Sequence, residues 1–157
     1  MVSVRKMAGH EAAEVAREAR EADPKAPALE EALAAHPDRV RVAEIGHERV
    51  GAFVLAELEG GVEEISGLAL TLSGRSAGAE RAVVEYVVHA AKFGGKRAVE
   101  VLAPEGSAEA RHLLREGFHA EGGPAKGLVR FRIDLKPARP DKPAGSSAAP
   151  RKNRKGP

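Results

Sequence analysis

Residues 68–95, LALTLSGRSAGAERAVVEYVVHAAKFGG, decide how this chain folds. The stretch begins with apolar residues, continues with Ser, Gly and Ala, and then repeats apolar residues at helical spacing. The repeated positions are Ala79, Val83, Val87 and Ala90. Gly94-Gly95 is typical of a helix C-terminus. The stretch therefore predicts a strand, a loop over residues 73–79 and a helix over residues 80–93.

The loop before this helix is the chemically informative part. Backbone N–H groups in the first turn of a helix lack intrahelical acceptors, and the helix dipole favours anions there. Gly78 has no side chain, so a ligand can approach the backbone closely. The loop therefore predicts a site for a phosphate-bearing ligand. The alternative is an ordinary strand–helix connection with Arg75 in solvent.

Patterns on either side of this stretch predict the remaining elements. The first predicted strand is residues 3–7, and an antiparallel meander of three strands ends with residues 62–72. Further predicted strands are residues 96–102, 119–121 and 128–135. The predicted helices are residues 10–22, 27–35 and 108–116. Gly67 interrupts the third strand of the meander and predicts a bulge or a close backbone contact. A strand–helix–strand unit of this size predicts a parallel pair. The fold class is therefore α/β, in the order β-α-α-β-β-β-α-β-α-β-β, with a mostly antiparallel sheet around a central parallel pair.

Composition limits the classes of protein to consider. The 157 residues are 43% hydrophobic, which permits one domain with a buried core. The absence of cysteine excludes disulfides, thiolate metal sites and a Cys nucleophile. The six histidines are dispersed, so we expect no metal site. We find neither an apolar run that could cross a bilayer nor the apolar core of a signal peptide, and expect a cytoplasmic protein.

The C-terminal segment differs from the rest of the chain. From Lys136 onward there are seven Lys or Arg residues and one acidic residue, Asp141, whereas residues 1–135 carry a net charge of −4. Residues 136–157 are therefore predicted to be a disordered basic tail after a domain of residues 1–135. Such a tail can associate with nucleic acid through counterion release, although it has no aromatic residue to stack on bases. A solubilising end is the alternative, which the composition favours.

Arg75-Ser76-Ala77-Gly78-Ala79-Glu80, in this order of elements, resembles the GNAT superfamily of N-acetyltransferases. The family's signature in this loop is Arg/Gln-x-x-Gly-x-Gly/Ala. Arg75 and Gly78 match it, and Glu80 replaces the last small residue. Gly117-Phe118, after the helix of residues 108–116, also fits the family's strand–helix–Gly-Phe block. The resemblance covers about residues 4–135.

The resemblance implies transfer of an acetyl group from acetyl-CoA to a primary amine by direct attack. Amides of residues 76–81 would hold the pyrophosphate, and the backbone of residues 68–70 would hold the pantetheine arm where two parallel strands separate. The implied coenzyme-binding residues are Leu68, Ala69, Leu70, Arg75, Ser76, Ala77, Gly78, Ala79, Glu80 and Arg81. The acceptor amine, on a small molecule or a protein, has no signature in the sequence, and the oligomeric state is equally open.

Proton transfer needs further groups. A lysine-like amine has a pKa of about 10.4, so a base or a water relay must remove a proton. The family often uses a strand carboxylate, which makes Glu63 or Glu64 the candidates; side chains alternate along a strand, so only one faces the cleft, and we take Glu64. Both could equally be solvated charges at the strand edge.

The family's usual acid, a tyrosine, corresponds to Leu113. Tyr86 is predicted to pack in the core. His112 adjoins the tyrosine position but points in another direction on the helix, and is predicted to be a surface residue.

Two hypotheses follow. The first is an acetyl-CoA-dependent N-acetyltransferase, favoured by the order of elements with Arg75 and Gly78. The second is a non-catalytic GNAT-like module that binds a ligand or a partner, with nucleic acid bound through the tail. Glu80 and Leu113 favour the second, because a carboxylate beside the pyrophosphate site repels it and the usual acid is missing.

Overall fold

The structure is a computed structural model that describes residues 2–22, 27–122 and 127–135. The predicted tail, residues 136–157, with its nucleic-acid contact, lies outside the described residues. The strands are β1 (Val2–Lys6), β2 (Val40–Ile45), β3 (Glu48–Leu58), β4 (Val62–Leu70), β5 (Ala98–Pro104), β6 (His119–Ala120) and β7 (Leu128–Asp134). The α-helices are α1 (Ala12–Ala22), α2 (Pro27–Ala35), α3 (Leu72–Ser76), α4 (Ala79–Phe93) and α5 (Ala108–Arg115). Short 3-10 turns, Gly9–Glu11 and Pro37–Arg39, precede α1 and β2.

These strands form one sheet in the order β1-β2-β3-β4-β5-β7-β6. β4 and β5 are parallel, and the other neighbouring strands are antiparallel. The parallel pair follows from the crossover through α3 and α4, because parallel neighbours cannot be joined by a tight hairpin. The predicted α/β class, with a mostly antiparallel sheet and a central parallel pair, is confirmed.

Helices pack on both faces of the sheet. α4 and α5 cover one face, where Val83 and Leu113 pack among Phe53, Val99 and other buried strand residues. α1 and α2 cover β2, β3 and β4 on the opposite face, through Val15 and other apolar residues. No described helix contributes to that second face over β5 and β7, so this half of the face carries polar side chains.

The predicted loop of residues 73–79 is partly wrong, because the chain forms α3 there. β4 ends at Leu70 and Thr71 becomes the N-cap of α3, its Oγ1 accepting a hydrogen bond from the Gly74 amide at 3.1 Å. Thr71 Oγ1 also donates to the Val50 carbonyl at 3.2 Å. A Cβ at Gly74 would lie 2.6 Å from that carbonyl oxygen, so the small residue lets α3 pack against β3.

Gly67 forms the predicted bulge and the predicted close backbone contact. Val54 lies opposite Ser66 and Ala52 opposite Ala69, which places two β4 residues opposite one on β3. Gly67 has φ +61°, and a Cβ there would lie 2.8 Å from the amide nitrogen of Leu29 in α2. The extra residue shifts the alternation along β4, so that Leu68 and Leu70 both face the side of α4.

The prediction that Tyr86 packs in the core is wrong. Tyr86 is 49% exposed, because the inward stripe of α4 is formed by Val83, Val84, Val87 and Ala91 and leaves it on the flank.

No described helix has the combination of length and apolar character that a membrane span requires.

Candidate functional site

The parallel strands β4 and β5 separate at the centre of the sheet. Their ladder runs from Val62 opposite Ala98 to Ile65 opposite Val101 and then stops. β4 nevertheless continues to Leu70 and β5 to Pro104. A bulge bends the strand that carries it, and the bulge at Gly67 begins two residues beyond the last pair. The gap between two parallel strands that the family resemblance implies therefore lies between the ends of β4 and β5.

A cleft of about 510 Å³ lies between the end of β4, the start of α4 and one face of α5. Six lining residues belong to the predicted set: Leu68, Leu70, Arg75, Gly78, Glu80 and Arg81. Four more come from α5: Ala108, Glu109, His112 and Arg115. Ligand sites in proteins commonly measure about 300–1,000 Å³, so the cleft can hold a cofactor-sized molecule.

The start of α4 offers amides to this cleft. Gly78 is its N-cap, with φ +74° and no side-chain hydrogen bond to the helix end. The first intrahelical bond runs from the Ala82 amide to the Gly78 carbonyl at 3.3 Å, so the amides of residues 79–81 precede it. A Cβ at Gly78 would meet nothing within 4 Å, so the positive φ, rather than crowding, favours glycine here.

The remaining predicted residues lie elsewhere. The amides of Ala77 and Gly78 donate to the carbonyls of Ser73 (3.0 Å) and Arg75 (3.1 Å), so α3 already uses them. Ser76 and Ala77 are exposed at the end of α3, and neither lines the cleft. The set of amides that can meet a ligand therefore narrows from residues 76–81 to residues 79–81.

Ala69 and Ala79 are both buried, at 3% and 0% exposure. Ala69 packs on the side of α1 and α2, and Ala79 packs beneath the start of α4 against the opposite core. Their side chains therefore support the walls of the site rather than line it.

Two arginines of the cleft are held loosely at its wall. Arg75 donates through Nη2 to the Ala22 carbonyl, at the C-terminus of α1, at 3.2 Å. Arg81 lies 3.2 Å from Glu85 and 3.8 Å from Glu116, and its side chain is exposed. Exposed ion pairs contribute little to stability, so these guanidinium groups can turn toward an anion at small cost.

Two carboxylates that line the cleft repel an anion bound there. Glu80 and Glu109 lie in the first turns of α4 and α5, and both line the cleft. Burial raises the pKa of Glu80, and repulsion from the Glu109 carboxylate raises it further. Protonation of Glu80 therefore makes the cleft more favourable for a negatively charged ligand.

His112 belongs to this cleft, and its prediction as a surface residue is wrong. It is half-buried, and its Nε2 atom is buried without a hydrogen-bond partner among the described residues. Leu113, at the position of the family's tyrosine, is fully buried in the core. The signal was the spacing of Ala108, His112 and Arg115, which lie on one helical face. Which way that face points depends on packing.

Glu64 lies beside the point where the strands separate. It faces Glu100 across the ladder and directly precedes Ile65 of the last pair. Burial raises the pKa of Glu64; the Arg130 guanidinium, 3.7 Å away, partly offsets this, and Glu100 adds to the increase. Glu63 points to the opposite face of the sheet. A carboxylate whose pKa is raised toward neutrality is better suited to act as a general base.

Comparison with solved structures identifies the fold. No protein-family model and no curated protein matches this sequence. IAA acetyltransferase from Bacillus cereus ATCC 14579 is 20% identical with a TM-score of 0.65, covering 86% of this chain and 100% of its own. The ribosomal-protein-S18-alanine N-acetyltransferase from Escherichia coli is 11% identical with a TM-score of 0.71, and the match covers 88% of this chain and 97% of that protein. A Bacillus subtilis acetyltransferase in complex with CoA is 20% identical with a TM-score of 0.62, and the match covers 86% of this chain and 98% of that protein.

These similarities, which include a structure assigned to the GNAT family, show that the chain has the GNAT fold. The predicted resemblance is confirmed at the level of the fold, and the low identity indicates a divergent sequence. Within the described residues, no group of three or more His, Asp or Glu side chains is arranged to hold a metal ion.

Proposed function

We propose that this protein is an acetyl-CoA-dependent N-acetyltransferase that acts on a primary amine. The observation that carries the proposal is the continuity between the cleft and the gap in the sheet. Leu68 and Leu70 line the cleft, and both lie on β4 beyond its last pair with β5. Coenzyme A combines a pyrophosphate with an extended amide-containing arm, and the cleft offers a helix N-terminus for one and a strand edge for the other.

The donor would be held by backbone and side chains together. The pyrophosphate meets the amides of residues 79–81, and Arg75, Arg81 and Arg115 supply positive charge around it. The arm lies along residues 68–70 like an added strand, with hydrogen bonds to their backbone. Bound there, the coenzyme supplies an acetyl group activated as a thioester.

Glu64 and His112 would move the protons. Glu64 removes a proton from the acceptor amine, directly or through a water molecule, so that the nitrogen lone pair can attack. His112 is the candidate donor of a proton to the departing sulfur, because its imidazole lines the cleft. Leu113 is buried in the core and has no proton to donate. A thiol has a pKa of about 8.5, so loss of this acid would slow the reaction rather than abolish it.

A non-catalytic ligand-binding module is the second candidate. Glu80 and Glu109 favour it, since two carboxylates at the mouth of the cleft weaken binding of a pyrophosphate. The intact gap and the position of Glu64 favour the enzyme.

Donor binding and turnover separate the two candidates. Thermal unfolding with and without CoA reports binding, because a ligand that binds the native state stabilises it. Release of free thiol from acetyl-CoA across a panel of amines then reports catalysis. Binding with turnover supports the enzyme, and binding without turnover supports the module. Absence of binding would contradict both.

A matched pair of variants locates the site. Arg81→Gln should weaken CoA binding, whereas Arg17→Gln should leave it unchanged. Both arginines are exposed helical residues paired with a glutamate four positions later, so they differ mainly in their distance from the cleft.

A further inference from the structure

A row of charged side chains crosses three adjacent strands on the part of the sheet that α1 and α2 leave uncovered. Glu64 lies opposite Glu100 across the β4–β5 ladder, and Glu100 lies opposite Arg132 across the β5–β7 ladder. Arg130 lies two residues before Arg132, so its side chain shares the same face. The Glu100 side chain is 7% exposed and the Glu64 side chain is 15% exposed, and the four residues form one connected group of ion pairs.

The two arginines in this row differ in how fully they are engaged. Arg132 donates to Glu100 at 3.1 Å through Nη1 and to Asp134 at 3.0 Å through Nε. Arg130 approaches Glu100 at 3.4 Å and Glu64 at 3.7 Å, and its side chain is 47% exposed. Strong guanidinium–carboxylate hydrogen bonds measure about 2.7–2.9 Å. Arg130 therefore retains donor capacity for a further carboxylate.

Arg130 and Glu64 both lie where the central strands separate. Glu64 directly precedes the last residue of β4 that pairs with β5. Arg130 lies opposite Leu102, which is the first residue of β5 beyond that ladder. A molecule that touches both side chains from the uncovered face is therefore next to the gap in which the acetyl group would lie.

We propose that the acceptor is an α-amino acid, whose amine meets Glu64 and whose carboxylate binds Arg130. This inference rests on the proposed function and adds the class of the acceptor. An anion and a cation 3.7 Å apart form a dipole that complements a zwitterion. Guanidinium also matches the planar shape of a carboxylate and can bind both of its oxygens.

Charge balance supports the same class. The four side chains carry two negative and two positive charges, so a zwitterion enters without adding net charge to a partly buried group. A lysine side chain or a peptide N-terminus brings a cation without an adjacent carboxylate, and leaves Arg130 without that partner.

The chemistry balances with the groups described. The ammonium form of the acceptor gives one proton to Glu64, which passes it to solvent. The nitrogen then attacks the thioester carbonyl carbon, the C–N bond forms and the C–S bond breaks. The second proton of the nitrogen ends on the sulfur, so the products are an N-acetylamino acid and free coenzyme A.

The test uses the full chain, acetyl-CoA and acceptors that differ only at the carboxylate. The L-amino acid that supports the fastest thiol release is compared with its amide and with the corresponding decarboxylated amine. We expect kcat/KM for the amino acid to exceed that for either analogue at least about tenfold, the ratio that one good carboxylate contact supplies.

Arg130→Gln provides the second arm of the test. It should raise KM for the amino acid about tenfold or more and leave KM for the amide nearly unchanged. Its effect on the pKa of Glu64 should alter the pH profile for both acceptors equally, which separates that effect from carboxylate binding. Arg17→Gln, on an exposed face of α1, is the control.

Three results would overturn the inference, and they are distinguishable from failure of the proposed function. Preference for simple amines or peptides would overturn it while leaving an acetyltransferase. Equal changes in KM for amino acid and amide in Arg130→Gln would do the same. If no acceptor is turned over, binding of amino acids to the CoA-loaded protein is measured by NMR titration. Absence of binding for every amino acid would overturn the inference and leave donor binding intact. Failure to bind CoA would instead contradict the proposed function.

Discussion

Gly67 in β4 and Leu29 in α2 approach each other backbone to backbone. A Cβ at Gly67 would lie 2.8 Å from the Leu29 amide nitrogen, and Gly67 also has a positive φ of +61°. The contact fixes α2 over the bulge beside the gap in the sheet. The glycine is therefore required both by conformation and by space.

Gly67→Ala should lower the free energy of unfolding by roughly 2–4 kcal/mol, the sum of backbone strain and overpacking. Gly46→Ala is the matched control, since Gly46 has φ +65° but no atom within 4 Å of an added Cβ. The control should cost only about 1 kcal/mol. Urea unfolding of both variants measures the difference, and equal losses would mean that Leu29 yields to the new side chain.

Glu11 should make the fold sensitive to acid. It is 4% exposed, and hydrogen bonds from Arg5, the Ala8 amide and Arg49 lower its pKa from 4.5 to about 2, against the opposing effect of burial. A lowered pKa contributes stability above the unfolded value, and this stability is lost as pH falls from about 4.5 to about 2.

Glu11→Gln should therefore be less stable than the native protein at neutral pH, by on the order of 2 kcal/mol, and should lose less stability on acidification. Urea unfolding at a series of pH values measures this. Glu21→Gln, in an exposed pair with Arg17, should match the native curve. Parallel curves for Glu11→Gln and the native protein would refute the assignment.

Glu80 should make coenzyme binding depend on pH. Burial and the Glu109 carboxylate raise its pKa, so Glu80 takes up a proton at a higher pH than an ordinary glutamate does. CoA should bind most tightly below this raised pKa and more weakly as pH rises through it. Glu80→Gln should tighten binding at neutral pH about three- to tenfold and flatten the pH dependence. Calorimetric titration measures both; the exposed Glu31→Gln is the control, and an unchanged affinity in Glu80→Gln would count against the repulsion.

Glu64→Gln should lower kcat/KM about 10²- to 10⁴-fold, as expected for loss of a general base. In the native protein, any acetyltransferase activity should fall as pH drops through the raised pKa of Glu64, because the protonated carboxyl cannot accept a proton. The variant should lose this acidic limb. Glu63→Gln changes the neighbouring carboxylate on the other face and should keep near-native kinetics. If the two variants behave alike, Glu64 is not the base.

His112→Asn should lower kcat about tenfold or more while leaving the Kd for CoA within about threefold of native. The reason is that the imidazole lines the cleft but is not part of the amide site at the start of α4. His89→Asn, on the exposed side of α4, serves as the control. A large loss of CoA affinity in His112→Asn, with kcat retained, would assign the imidazole to binding instead.

The fold was accessible from the sequence where the signal is local. Apolar periodicity located α4, and a lone glycine in a strand located the bulge at Gly67, because both depend on nearby residues. α3 was missed, since Thr71 and Gly74 build it against the carbonyl of Val50, which precedes Thr71 by 21 residues. A contact with a distant strand leaves no local pattern.

The candidate site divides in the same way. The cleft residues between Leu68 and Arg81 lie within one short stretch of sequence, whose pattern could be recognised. His112 and Arg130 reach the site only through the packing of α5 and the register of β7 against β5. Spacing along one element indicates which side chains share a face, but not which other element that face meets.

A β-sheet that divides at its centre has two internal edges in addition to its outer ones. Beyond Ile65 and Val101, the facing backbones of β4 and β5 no longer pair with each other, which is the arrangement that attracts strand addition by other chains. A coenzyme arm seated between them would shield both edges. The free protein should therefore aggregate more readily than the coenzyme-bound form, and light scattering on gentle heating, with and without CoA, would reveal the protection.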